Sequence, residues 1–218
     1  MTDRSPACLL LLLLGCGGPS LEGDIIVIGD SIFDWNVEEE AAIPDVIATE
    51  LGLEVANAAI GGTQLTEGPD AIPDQFQPGD WRVVVMDGGG NDLNDQCDCG
   101  ECDAVMDDIV SEDALDGAVP ELVGRITGSG IPVVFWSYYE LPEDASFGFD
   151  ACRDDIPVLF SRLEALAESE PDFHVVDGRE VVTAADLAYF DEDHVHPSVE
   201  GGQVVGRQLA KAVQGLLD

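Results

Sequence analysis

Ile-Ile-Val-Ile-Gly-Asp-Ser-Ile, at residues 25–32, is the stretch from which the fold is predicted. Its first half is a continuous run of branched apolar residues, and its second half is a turn sequence. Runs that are apolar throughout are typical of strands buried on both faces of a parallel sheet. Three similar runs occur at Val83–Met86, Val133–Trp136 and Phe173–Val176, and a fifth strand is predicted at Leu53–Asn57.

Helical patterns lie between and after the predicted strands. They cover residues 44–51, 103–127 (one helix or two), 153–168 and 198–217. Alternation of strands and helices is typical of an α/β fold in which helices cover both faces of the sheet. We therefore predict a three-layer α/β/α sandwich with a mostly parallel, flavodoxin-like sheet of about five strands. With 218 residues and no internal linker, the chain has room for one such domain, predicted at 24–218.

The charge balance excludes some classes of function. Eight Lys and Arg residues stand against 45 Asp and Glu, which gives a formal net charge of −37. A field of this sign repels nucleic acids and anionic lipid surfaces, so neither is predicted as a partner. A solvated acidic surface is favoured over a cation site, because the nearest candidate loop, at 95–100, has cysteines where an EF-hand loop needs Asp or Asn. No metal or other cofactor is predicted.

The N-terminal segment is predicted to direct export. Residues 8–14 form an apolar run that is too short to span a bilayer but long enough for the core of a signal peptide. The following Leu-Leu-Gly-Cys sequence, which ends at Cys16, resembles the lipobox of bacterial lipoproteins. This resemblance implies a signal peptide at 1–15, a lipidated Cys16, a tether at 16–23 and a cell-envelope protein that contacts the membrane only through its lipid. The alternative is an ordinary secretory signal with a chance cysteine.

Four cysteines fall within the predicted domain: Cys97, Cys99, Cys102 and Cys152. In an exported protein an even number of cysteines indicates disulfides, and four cysteines allow three pairings that the sequence does not distinguish. The close Cys-x-Cys-x-x-Cys spacing leaves a four-thiolate zinc site as the alternative.

Polar or glycine-rich sequences follow several of the predicted strands, at the sheet edge where α/β folds bind their ligands. Ser31 follows the first strand, Gly62 ends a glycine pair after the Leu53–Asn57 strand, and Asn91 follows three glycines after Val83–Met86. Near the C-terminus, an acidic residue precedes a histidine by three positions, within reach across one turn. Taken singly, each has a structural explanation: a helix cap, a tight turn, an Asx turn or a surface histidine.

Together these sequences resemble the motifs of the GDSL or SGNH hydrolase family, in the same order along residues 24–215. The four matching sequences are Gly29-Asp30-Ser31-Ile32, Asn57-Ala58-Ala59-Ile60-Gly61-Gly62, Gly89-Gly90-Asn91-Asp92 and Asp193-His194-Val195-His196-Pro197. The resemblance implies Ser31 as nucleophile, His196 as its general base and Asp193 as the acid that orients the histidine. It also implies an oxyanion hole formed by the N–H groups of Ser31 and Gly62 and the side chain of Asn91.

The sequence departs from the family in two places. The family often has a larger or polar residue at the position of Gly61, so the register between Gly61 and Gly62 is open. The cysteine cluster at 97–102 is not a family-wide feature, and it is expected to shape one wall of the substrate cleft.

The resemblance implies an ester hydrolase that works through an acyl-enzyme without a metal. The implied substrates are small-molecule, glycan or lipid esters, including acetyl esters, lysophospholipids and thioesters. Small acyl groups are favoured because no Leu- or Phe-rich run suits a long acyl chain. The alternative is a non-catalytic, envelope-anchored protein that binds a glycan or another ligand on the same fold. Such a protein would not need the complete set of five site residues.

Other side chains carry subsidiary predictions. His194, which follows Asp191 by three positions, competes with His196 for the role of base, and His174 is predicted to be structural within its strand. Asp30 is predicted to support the turn. Four aromatic residues near strand ends are expected either to line an acyl or sugar pocket or to pack in the core: Trp35, Trp136, Tyr138 and Tyr139.

Overall fold

The computed structural model describes residues 21–217 of the chain. The predicted signal peptide at 1–15 and the candidate lipidation site Cys16 lie outside the described residues and stay predictions. Between residues 21 and 217 no helix is both long and apolar enough to cross a membrane.

The fold is built on a sheet of five short strands in the order β2-β1-β3-β4-β5. The strands are β1 (Ile25–Ile28), β2 (Val55–Asn57), β3 (Val83–Met86), β4 (Val133–Trp136) and β5 (Phe173–Val176). All their pairings are parallel, which confirms the predicted flavodoxin-like sheet. Every residue of β1, β3 and β4 is buried, and this explains why these strands are apolar throughout. Strand β2 begins at Val55, later than predicted, because the chain first leaves the left-handed turn at Gly52.

Helices flank the sheet and complete the predicted α/β fold. The α-helices of the described residues are α1 (Ser31–Asp34), α2 (Ile43–Leu51), α3 (Ile72–Gln75), α4 (Gly90–Cys97), α5 (Asp103–Ile109), α6 (Ala118–Thr127), α7 (Asp155–Ser169) and α8 (Val199–Leu217). Short 3₁₀ segments occur at Phe149–Arg153, Gly178–Glu180 and Leu187–Tyr189. The predicted helical regions are confirmed, and the region at 103–127 contains two helices, α5 and α6.

Helices α1, α3 and α4 were not predicted from the sequence. Helices α1 and α3 are single turns, which are too short to show a helical period in the sequence. Helix α4 begins at a glycine and is mostly polar, with Leu93 as its one buried large apolar side chain. These helices therefore form because of tertiary contacts rather than an amphipathic pattern.

The C-terminal helix packs closely against α2. At Gly206 of α8, an added Cβ would lie 2.6 Å from Cβ of Val46. Glycine at this position therefore allows the two helices to approach each other more closely than any larger residue would permit. Both helices also contact the sheet, α2 at β2 and α8 at β4.

The four cysteines of the domain form two disulfides, Cys97–Cys102 and Cys99–Cys152. The prediction of disulfides is confirmed, and the zinc alternative is wrong because all four sulfur atoms are paired. Within residues 21–217 no cluster of His, Cys, Asp and Glu has the arrangement of a metal site. The second disulfide connects the turn after α4 to the 3₁₀ segment before α7, so it holds these two segments together.

Candidate active site

The turn after β1 presents Ser31 as the first residue of α1. The capping residue of this helix is Asp30, whose Oδ1 accepts a hydrogen bond from the Ile32 N–H at 3.0 Å. Ser31 is therefore not the helix cap, and its hydroxyl is available for another role. Glycine is required at position 29 because an added Cβ would lie 1.9 Å from Oδ1 of Asp87.

Two buried carboxyl groups support this turn. Oδ1 of Asp87 accepts the Asp30 N–H at 2.8 Å, and the Tyr138 hydroxyl donates to Oδ2 of Asp30 at 2.6 Å. The same hydroxyl accepts the Gly90 N–H at 3.2 Å, so Tyr138 connects the ends of β1 and β3. Burial raises the pKa of Asp30, and burial together with repulsion from Asp30 holds the pKa of Asp87 well above its usual value. Asp87 therefore favours its protonated form, which avoids two adjacent buried charges.

Ser31, His196 and Asp193 form one hydrogen-bonded chain. Nε2 of His196 lies 2.8 Å from Oγ of Ser31, and Nδ1 of His196 lies 2.7 Å from Oδ2 of Asp193. Oδ1 of Asp193 accepts the backbone N–H groups of Val195 and His196, each at 2.9 Å. The three side chains thus have the geometry in which a carboxylate orients an imidazole and the imidazole faces a hydroxyl.

The charge of Asp193 is maintained by its hydrogen bonds. Burial opposes ionisation of this carboxyl, but the hydrogen bonds from His196 and Val195 outweigh burial and lower its pKa. Asp193 is therefore ionised at neutral pH. An anion at this position favours the His196 tautomer that carries its proton on Nδ1 and leaves Nε2 free to accept one.

Two aromatic rings flank His196. The indole of Trp35 stacks parallel to the imidazole with ring centroids 3.8 Å apart. The Trp35 indole N–H donates to Oδ2 of Asp191 at 2.9 Å, which fixes the stacked ring in place. Phe147 approaches the imidazole edge-on from 6.4 Å. The stacked and hydrogen-bonded Trp35 ring restricts rotation of His196 away from Ser31.

The glycine pair after β2 lies against the nucleophile turn. An added Cβ at Gly61 would lie 3.6 Å from Cβ of Ser31, and the Gly61 N–H donates to Oδ2 of Asp34 at 3.0 Å. The Gly62 N–H has no partner among the described residues, and Gly62 has a left-handed backbone with φ of 77°. Because the Gly61 N–H is bonded to Asp34, the Gly62 N–H is the one available to a ligand.

The side-chain amide of Asn91 is held in a fixed orientation beside Ser31. Its Nδ2 donates one hydrogen to the Thr63 carbonyl at 2.9 Å, which leaves the second hydrogen for another acceptor. Asn91 and Ser31 line the same pocket. The structure therefore brings together four of the predicted site residues, Ser31, Asn91, Asp193 and His196, and Gly62 follows the Gly61 that lies against Ser31.

Because the sequence resemblance implies Asn91 as an oxyanion donor of an ester hydrolase, replacing it with Ala is expected to lower kcat for p-nitrophenyl acetate by about 10²–10³-fold, with little change in KM. The reason is that an oxyanion donor acts mainly on the charge that develops in the transition state. Gln96→Ala is the matched control, since this amide lies on the same helix but bonds to Gln64 and Thr66 outside the pocket. Equal losses in the two variants would contradict the assignment.

A small apolar pocket opens next to Ser31. Its volume of about 30 Å³ has room for about two water molecules. Its apolar wall consists of Ile32, Tyr138, Tyr139, Leu141, Phe149, Ile156 and Val195. Of the aromatic residues for which the sequence left a pocket or a core position open, Tyr138 and Tyr139 line this pocket, whereas Trp136 is buried in the core.

The two other histidines lie outside the hydrogen-bonded chain. Nδ1 of His194 pairs with Oδ1 of Asp144 at 2.8 Å, and not with Asp191. His174 is partly buried within β5, in agreement with a structural role. His196 is therefore the histidine that faces Ser31.

Sequence reasoning missed the roles of Asp87 and Tyr138. A signal for Asp87 existed, because an acidic residue placed between a buried strand and three glycines at 88–90 is unusual for a simple turn. No local signal indicates that Tyr138 reaches Asp30, since 108 positions separate them.

Comparison with known proteins agrees with this geometry. The chain matches the GDSL-like Lipase/Acylhydrolase family over residues 27–204. The search of curated sequences gave no significant match. An acetyl xylan esterase superimposes with a TM-score of 0.66 and 20% identity, covering 87% of this chain and 98% of that one. A carbohydrate acetylesterase from Sinorhizobium meliloti superimposes with a TM-score of 0.65 and 16% identity, covering 88% of this chain and 98% of that one. A GDSL-like lipase from Bacteroides thetaiotaomicron superimposes with a TM-score of 0.63 and 17% identity, covering 88% of this chain and 87% of that one.

The parallel sheet with flanking helices and the family match together define an ester-hydrolysing enzyme. The chain belongs to the GDSL-like lipase/acylhydrolase family, as the resemblance of its sequence motifs implied. These three solved structures are only 16% to 20% identical to this chain, so they establish the fold and not the substrate.

Proposed function

We propose that the enzyme hydrolyses small-acyl carboxylic esters, with acetyl esters as the preferred class, through a covalent intermediate on Ser31. The single observation that carries this proposal is the continuous hydrogen-bonded chain from Asp193 through His196 to Ser31. In the proposed reaction, Nε2 of His196 accepts the Ser31 proton while Oγ attacks the ester carbonyl. Asp193 stabilises the resulting imidazolium, which then protonates the departing alcohol.

The negative oxygen of the tetrahedral intermediate would bind the N–H groups of Ser31 and Gly62 and the Asn91 amide. The first position of a helix leaves its N–H without an intrahelical partner, which supports Ser31 as one donor. Water activated by His196 would then attack the acyl-enzyme, release the carboxylic acid and restore Ser31. Each step uses groups of this chain, and none requires a metal.

The acyl pocket supports a small acyl group. A volume of about 30 Å³ admits an acetyl methyl group, whereas a longer chain would have to displace its packed aromatic and branched walls. Two of the solved structures with this fold are described as an acetyl xylan esterase and a carbohydrate acetylesterase. Small-acyl transfer to water is therefore the chemistry that the pocket favours.

Among p-nitrophenyl esters from acetate to octanoate, we expect kcat/KM to be highest for acetate and about tenfold or more lower for butanoate. Ile156→Ala should enlarge the pocket and raise the relative rate on butanoate. Val158→Ala is the matched control, because this residue lies on the same helix but faces solvent. A preference of the unmodified enzyme for octanoate would contradict the proposed acyl size.

Labelling with a serine-reactive phosphonate distinguishes this proposal from the alternative of a non-catalytic binding protein. The enzyme should gain one phosphonyl group on Ser31, because only an activated hydroxyl reacts rapidly. Turnover without a labelled Ser31 would contradict the mechanism, and absence of both would favour the binding protein.

The two disulfides support the further proposal that the protein is exported to the cell envelope, since disulfides persist in oxidising compartments.

A further inference from the structure

Phe147 is an exposed aromatic side chain at the edge of the candidate site. About 69% of the residue is accessible to solvent, and its backbone has a left-handed φ of 60°. Its ring lies edge-on to His196 with 6.4 Å between the ring centroids. A phenylalanine gains nothing for folding from such exposure, and a left-handed backbone is unfavourable for a residue with a Cβ. Both features indicate a function for this side chain outside the core.

The loop that carries Phe147 is fastened at several points. The Phe147 carbonyl accepts a hydrogen bond from Nδ2 of Asn94 at 3.2 Å, and the Ser146 N–H donates to the Asp193 carbonyl at 2.9 Å. Asp144 pairs with His194 at 2.8 Å, and the Cys99–Cys152 disulfide connects the end of this loop to α4. The ring is therefore held in place beside the site and is not exposed because the loop is loose.

The position of Phe147 corresponds to the alcohol side of an ester. The acyl pocket beside Ser31 does not include Phe147. His196 must protonate the departing alcohol oxygen, so the alcohol portion of the substrate lies near the imidazole. Since Phe147 flanks that imidazole, its open ring face is available to the alcohol and not to the acyl group.

The surroundings of the ring discriminate between classes of alcohol. Exposed carboxylates flank it in the sequence at Glu143, Asp144 and Asp150, and the whole chain carries a net charge of −37. Such a field repels the phosphate of a lysophospholipid. A neutral sugar has an apolar C–H face that can cover an aromatic ring, and its hydroxyls can donate hydrogen bonds to carboxylates.

We propose that Phe147 is a specificity-determining residue that stacks on a sugar ring of a neutral, acetylated glycan and holds that ring next to His196. This inference rests on the proposed esterase function and extends it by naming the class of alcohol. Phe147 acts on binding of the sugar, whereas Ser31 and His196 act on the bond that breaks.

The test compares Phe147→Ala with the unmodified enzyme on acetylated xylo-oligosaccharides and on triacetin, whose glycerol portion offers no ring. We expect the ratio of kcat/KM for the oligosaccharide to that for triacetin to fall about tenfold, through a higher KM. Phe147→Tyr should restore the ratio, because tyrosine keeps the aromatic face. Leu115→Ala is the matched control: Leu115 is equally exposed, lies before α6 outside the acyl pocket and should leave the ratio unchanged.

Binding is measured separately with Ser31→Ala, in which the substrate survives. Titration with acetylated xylo-oligosaccharide should give a Kd about tenfold higher for the double variant with Ser31→Ala and Phe147→Ala than for the single variant Ser31→Ala. An unchanged ratio and an unchanged Kd would overturn the proposal, as would an equal fall on both substrates, which indicates a general effect on the site. Hydrolysis of triacetin without hydrolysis of the oligosaccharide overturns the sugar proposal alone. Hydrolysis of neither, with no phosphonate labelling of Ser31, overturns the esterase function with it.

Discussion

Ser31→Ala is expected to reduce kcat for p-nitrophenyl acetate by about 10⁴- to 10⁶-fold while leaving the folded structure intact. The expected loss is this large because, in the proposed mechanism, the Ser31 hydroxyl forms the acyl-enzyme and neither His196 nor Asp193 replaces it as nucleophile. KM should change little, since the acyl pocket and its apolar wall remain. The residual rate, if any, would come from the oxyanion donors and from binding.

The measurement combines steady-state kinetics with mass spectrometry of the phosphonate-treated protein. Ser161→Ala is the matched control, because the Ser161 hydroxyl is exposed and bonds only to the Val158 carbonyl within α7. This control should keep full activity and full labelling. A Ser31→Ala protein that retains a tenth of the activity, or is still labelled, would show that another nucleophile acts and would refute the mechanism.

Most of the sheet could be predicted because its strands are buried on both faces. Four of the five strands have the predicted bounds, and in β1 each residue is buried and apolar, so any polar residue marks its end. The edge strand β2 was placed two residues too early at its start, because a half-buried strand is less clearly separated from the turn at Gly52. Apolar residues at helical spacing likewise identified α7, and the start of α8 lies within one residue of its predicted position.

The site could be predicted in part because its members are local motifs at strand ends. Ser31, Asn91 and His196 each follow a glycine-rich or acidic sequence that limits the local backbone. What the sequence did not indicate are contacts between distant elements, such as Tyr138 on Asp30 and Trp35 on His196. Their partners are far away in sequence, and only the sheet order brings them together. The pairing of Cys99 with Cys152 was unpredictable for the same reason.

The environment of Asp30 and Asp87 shows why these long-range contacts matter for the nucleophile. Burial raises the pKa of both carboxyls, most strongly that of Asp87, and both carboxyls accept hydrogen bonds that support the turn. Asp193, by contrast, is held as an anion by the hydrogen bonds it accepts. The same side-chain type therefore meets opposite environments at the two ends of the site: burial shifts Asp30 and Asp87 toward the protonated form, whereas hydrogen bonds shift Asp193 toward the anion that the proposed mechanism requires.

Asp193→Asn is expected to lower kcat for p-nitrophenyl acetate by about 10³- to 10⁴-fold at neutral pH. An uncharged amide cannot stabilise the imidazolium that forms on His196, and its NH₂ group would compete with the Nδ1 proton that Oδ2 now accepts. Steady-state kinetics should show the loss in kcat, with KM nearly unchanged. A loss below tenfold would contradict the role of the carboxylate.

The lowered pKa of Asp193 adds a second readout, the free energy of unfolding as a function of pH. A carboxyl whose pKa is lower in the folded protein contributes stability above its unfolded pKa of about 3.9, and that contribution is lost as the pH falls through the folded value. In urea titrations Asp193→Asn should therefore be less stable than the unmodified enzyme at neutral pH, and the difference should shrink below about pH 4. Asp186→Asn is the matched control, because hydrogen bonds from Thr183 also lower the pKa of Asp186, outside the site. It should show the same trend in stability without the loss of kcat, and this contrast separates the effect of Asp193 on the reaction from its effect on the fold.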